Sequence, residues 1–82
     1  MWAVGHYHND AKQGPDALIL HWDGMSWSRV RGPNPSSHYN VLWGVSARSA
    51  TDAWAVGVFE NDTTGGMDAL ILHWDGTRWS RT

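Results

Sequence analysis

The chain has no cysteine among its 82 residues, so no disulfide can staple it. No Cys/His cluster has the spacing of a structural zinc site either. Charge of one sign is missing: 6 Lys+Arg stand against 8 Asp+Glu, a net −2. A duplex-binding surface draws its affinity from a basic excess, so nucleic acid is excluded as an expected partner. No apolar run approaches the ~18 residues of a membrane helix. The first residues, MWAVGHYHND, lack the basic head and apolar stretch of a signal peptide. The expectation is a soluble chain with no membrane partner and an open cellular compartment. Sustained i, i+3, i+4 apolar spacing is also lacking, which argues against helices.

What is present is repetition. Trp2–Val30 and Trp54–Thr82 align at an offset of 52 residues, and 19 of the 29 aligned positions are identical. A period of this length marks a unit that buries its apolar surface by stacking on copies of itself. Tryptophan is abundant, seven residues against a single Phe. Six of them recur at the fixed offset (Trp2, Trp22, Trp27 and Trp54, Trp74, Trp79), which points to packing before ligand stacking.

Short runs rich in Trp, Val, Leu and Ile, punctuated by Gly, Pro, Asn and Asp, predict strands and turns. The complete unit, residues 39–82, is read as four strands: Tyr39–Ser46, Ala53–Phe59, Asp68–Trp74 and Thr77–Thr82. The incomplete unit, residues 1–30, holds three: Trp2–Tyr7, Asp16–Trp22 and Met25–Val30. The link at residues 31–38, RGPNPSSH, carries two Pro and one Gly and is expected to be neither strand nor helix. Asp23-Gly24 and Asp75-Gly76 read as two-residue hairpin loops. That register sets Trp74 opposite Thr77, His73 opposite Arg78 and Leu72 opposite Trp79. Trp74 and Trp79 then become diagonal neighbours on one face.

Both faces of the predicted strands are apolar. Leu70, Leu72 and Trp74 point one way, and Ala69, Ile71 and His73 the other. An antiparallel sheet with one wet face alternates apolar with polar, so these sheets are expected to be covered on both sides. Leaving several such side chains wet costs roughly 1.5–3 kcal/mol each, against a domain stability of about 5–15 kcal/mol.

The segments WAVG and HWDGTRW, with an aromatic before the turn and a Trp after it, resemble the kelch motif of β-propellers. They are also similar to bacterial Trp-rich propeller repeats with LILHWDG-type blades. Two features depart from those patterns. A single glycine (Gly5, Gly57) stands where kelch units carry a pair, and His21 and His73 stand where the Asp-box of sialidase-like propellers has Ser or Thr. The resemblance implies an all-β fold of four-stranded antiparallel blades. Closure takes four to eight blades in typical propellers, so one and three-quarter blades imply association of several copies, or an excised or engineered piece. Three to five chains joined head to tail give about six to ten sheets.

No serine lies in a G-x-S-x-G elbow, and His21 and His73 recur at equivalent positions, as structural residues do. His73 is expected to partner Arg78 or a backbone carbonyl. No catalytic residue, cofactor or metal is assigned. Two constellations resemble metal sites and fall short. His6, His8 and Asp10 occur in one copy only. The Asn/Asp/Gly loops 9–16 and 61–68 have turn chemistry without EF-hand spacing. Seven of the ten differences between the copies fall within positions 6–15, the loop between the first two strands of the incomplete unit. Rigid scaffolds with variable loops are how binding surfaces are built. The candidate ligand-binding residues are Tyr7, His8, Asn9, Asp10, Phe59, Glu60, Asn61 and Asp62 of these loops, with Trp43 as a further aromatic that could stack on a glycan. The expected function is a non-enzymatic binding scaffold for a protein or glycan whose principal partners are other copies of itself. A carbohydrate-binding propeller ranks second and a sialidase- or oxidase-like enzyme third, because Arg48 is the one cation in its loop.

Overall fold

A computed structural model describes all residues, Met1–Thr82, as seven strands without a helix. No helix is therefore long and apolar enough to cross a membrane. The strands are β1 (Trp2–Asn9), β2 (Gly14–Trp22), β3 (Trp27–Val30), β4 (Asn40–Ser49), β5 (Asp52–Glu60), β6 (Met67–Trp74) and β7 (Trp79–Arg81). They form two antiparallel sheets, ordered β1-β2-β3 and β4-β5-β6-β7. Residues 31–39, between the sheets, contain no strand.

The β2–β3 and β6–β7 turns correct the expected register. Trp74 lies directly opposite Trp79, His73 opposite Ser80 and Leu72 opposite Arg81. The loop is Gly76-Thr77, with Gly76 first and at φ +99°, and Asp75 stands just before it. The carboxylate decides this. Asp75 Oδ1 accepts from the amides of Thr77 (2.8 Å) and Arg78 (3.0 Å), an Asx turn that spans the loop from the residue preceding it. Asp23 does the same for Met25 and Ser26, with Gly24 at φ +103°. These hydrogen bonds, with those from the Arg78 and Ser26 amides foremost, hold both carboxyls below the usual aspartate range. Because the strand period is two, both registers keep the tryptophans on one face. Trp74 and Trp79 have ring centroids 5.9 Å apart, and Trp22 and Trp27 5.6 Å.

The core lies between the two sheets, and unlike faces meet there. The three-stranded sheet contributes Trp2, Val4, Ala17 and Ile19. The four-stranded sheet contributes Ala53, Ala55, Leu70, Leu72, Phe59 and Trp79, with Leu42 from β4. Trp2 is the keystone, its ring 5.1 Å from both Trp74 and Trp79. Gly57 lets β4 sit close: a Cβ there would fall on the Val41 carbonyl oxygen and come within 2.7 Å of Leu42 Cα.

The expectation that each sheet is covered on both sides is met on one side only within a single chain. Ile19 is 1% exposed, whereas its counterpart Ile71 is 39% exposed. Trp54 and Val56 are likewise open, at 41% and 47%. On the far side of the molecule Leu18, Leu20 and Trp22 are only half-buried, while their counterparts Leu70 and Leu72 are sealed in the core.

Candidate functional site

The candidate residues fall at three places. Tyr7, His8, Asn9 and Asp10 end β1, Phe59, Glu60, Asn61 and Asp62 end β5, and Trp43 stands in β4. Most of the polar ones serve the loops themselves. Asn9 Oδ1 accepts from the Ala11 amide (3.0 Å), and Asn61 Oδ1 from the Thr63 amide (2.9 Å). Their side-chain amides donate to Asp16 and Asp68, both at 2.9 Å. These are Asx turns closed onto the following strand.

Asp62 is engaged inside the molecule. It accepts from Ser36 Oγ (3.0 Å) and the Ser37 amide (3.0 Å), with His38 Nδ1 at 3.3 Å. The Ser37 backbone amide above all, then the Ser37, Ser36 and His38 side chains, holds its carboxyl down to about 2. Asp10, its aligned counterpart, meets only His8 Nε2 at 3.3 Å. No three His, Asp or Glu side chains gather closely enough to share an ion.

Phe59 is 6% exposed, and the Arg81 guanidinium lies 4.6 Å over its ring. It is a core residue of this chain and does not face solvent. Tyr7 carries the same cap, with Arg29 at 4.5 Å over the ring and donating to its hydroxyl at 2.6 Å. The Glu60 amide donates to the Tyr39 carbonyl at 2.9 Å.

Trp43 and Arg48 are placed by a feature that alternation does not foretell. The pairing of β4 with β5 jumps from Leu42–Gly57 to Gly44–Val56, and from Ala47–Ala53 to Ser49–Asp52. Trp43 and Arg48 are thus the extra residues of two β-bulges, which re-aim side chains out of the ladder. Trp43 is 71% exposed.

Arg48 lines a cleft of about 440 Å³ between the two sheets. Trp2, Trp74, His21 and Ser49 share its wall. Trp74 Nε1 donates to the Ala50 carbonyl (3.1 Å), which orients that ring. His21 packs against Trp2, its ring centroid 4.5 Å away and tilted at 45°. None of these cleft residues stood among the candidates from sequence, because the site exists only where two distant repeats meet.

A buried polar cluster also went unforeseen. Asp16, Ser36 and Asn40 are the buried polar residues of the chain. Asp16 accepts from Lys12 Nζ, at 2.6 Å, from Asn9 and from Asn40 Nδ2, at 3.1 Å. Burial raises the Asp16 carboxyl, but hydrogen bonds from Lys12, Asn9 and Asn40 and the Lys12 charge together bring it below its usual range. Lys12 also donates to the Ser36 carbonyl at 2.9 Å, so this cluster ties the first repeat to the link.

His73 departs from its expected partner. Its Nε2 lies 2.8 Å from Asp52 Oδ1, and its ring packs at a tilt against Trp54, centroids 4.3 Å apart. The shifted hairpin register removes Arg78 from opposite His73 and sets Ser80 there. No protein-family model, curated protein or solved structure matches the chain.

Proposed function

We propose that the chain is a non-enzymatic β-propeller module. In this reading each sheet is a blade, and several chains associate to complete a ring that acts as a binding scaffold. The observation that carries it is the outer face of the four-stranded sheet, where Trp54, Val56 and Ile71 are 41%, 47% and 39% exposed side by side. A contiguous apolar patch marks an interaction surface. Light scattering coupled to size exclusion tests this. A discrete species several times the 9.2 kDa chain is the expected result, and a folded monomer at every concentration would refute it.

The inter-sheet cleft favours a second reading, a carbohydrate-binding propeller. Indole faces stack on the apolar faces of sugar rings, and Arg48 with Ser49 supplies hydrogen-bond donors beside Trp2 and Trp74. A glycan array, followed by titration with Trp2→Ala and Arg48→Ala, tests it. Binding that survives both substitutions would place the sugar elsewhere.

A further inference from the structure

The interface inside the chain is built from unlike faces of two like repeats, and this has a geometric result. The face of the first repeat that carries Trp2, Val4, Ala17 and Ile19 lies on the face of the second that carries Ala55, Leu70, Leu72 and Trp79. At the 52-residue offset, the open face of the second repeat carries Trp54, Val56, Ala69 and Ile71, the same residues or the same kind in the same pattern. The open face of the first carries Ala3, Leu18, Leu20 and Trp27, identical to the sealed set. Each end of the molecule therefore shows one half of an interface already formed within it.

The geometry points to a second copy of this chain as the occupant of both faces, docked head to tail. Trp54 of one copy then takes the position that Trp2 holds inside the chain, against Trp22 and Trp27 of the next. Ile71 enters the place of Ile19, over Leu18 and Leu20. The contact is heterologous, so it leaves one face of each kind free and propagates until rotation closes a ring. It is also smaller than the internal contact. The accepting sheet has three strands and no counterpart of β4, which supplies Leu42 to the internal core.

This inference rests on the self-association proposed above, and mixing two blocked variants separates the two. Ile71→Arg blocks one face and Leu20→Arg the other. Each variant alone is expected to run as a 9.2 kDa monomer, and an equimolar mixture to give a 1:1 pair of twice that mass and nothing larger. Trp27→Arg, at a position 45% exposed, replaces Leu20→Arg if the latter does not unfold cooperatively. Val56→Lys likewise replaces Ile71→Arg. If either variant dimerises alone, or the mixture stays monomeric while the wild-type chain associates, the head-to-tail contact is wrong and self-association stands. A monomeric wild-type chain overturns both.

Discussion

The two repeats share most of their aligned sequence and live in different surroundings. Ile19 is sealed and Ile71 is open; Asp16 is buried in a polar cluster and Asp68 is exposed, bonded to Asn61. Gly5 has nothing within 4 Å of a built Cβ, whereas Gly57 has the backbone of β4 against it. Identical residues thus carry different energies according to which side has a neighbour. The pair forms an internal control: the same substitution made 52 residues apart reads the neighbour and not the residue type.

The largest contrast is expected at the isoleucines. Ile19→Ala opens a cavity in the core and should cost about 2–5 kcal/mol in urea denaturation. Ile71→Ala, measured on a chain held monomeric by Leu20→Arg, should cost well under half of that. Equal costs would mean that the second face is covered within the monomer. Next come the glycines. Gly57→Ala drives a Cβ into the Val41 carbonyl and should destabilise by about 1–3 kcal/mol or more, because backbone has to move. Gly5→Ala should stay within about 0.5 kcal/mol of wild type, as surface changes do.

Asp16→Ala strips Asn40 and Lys12 of a partner in a buried setting and should cost about 1–3 kcal/mol. Asp68→Ala should fall within about 0.5 kcal/mol. The smallest effect concerns Asp62, whose carboxyl is lowered from 3.8 to about 2. A depressed carboxyl adds stability above its unfolded value and loses it as pH falls through the folded one. Wild type should therefore exceed Asp62→Ala in stability at neutral pH, with the gap closing between pH 3.8 and about 2. An unchanged gap at pH 2 would show that the link is held by other groups.

The strands were legible because β-branched and aromatic runs stand between turn residues, and the expected ranges overlap β1 to β7 throughout. Apolar character on both faces of Asp68–Trp74 was legible too. Which face lies inside was not, since Ala69-Ile71 and Leu70-Leu72 are equally apolar and only the partner sheet chooses between them. The hairpin register slipped because Asp-Gly serves two turns. In one turn glycine is the second loop residue; in the other it is the first, and the aspartate stands outside the loop, where it caps two amides. The bulges at Trp43 and Arg48 leave no mark in an alternating pattern, and so neither did the cleft that Arg48 lines. The loop asparagines had the turn residues' signature and proved to be turn residues. Asp16 carries no signal that its aligned twin lacks, because its partner Asn40 lies beyond the repeat.

The packing of unlike faces also bears on how such a molecule can lengthen. A third repeat appended by duplication would meet a face whose residues match those sealed inside the chain, and would present the same residues at its own far side. Growth by copying therefore demands no new complementarity at any step, only a connecting segment that keeps the spacing now set by the Ser36–Asp62 and Lys12–Ser36 ties.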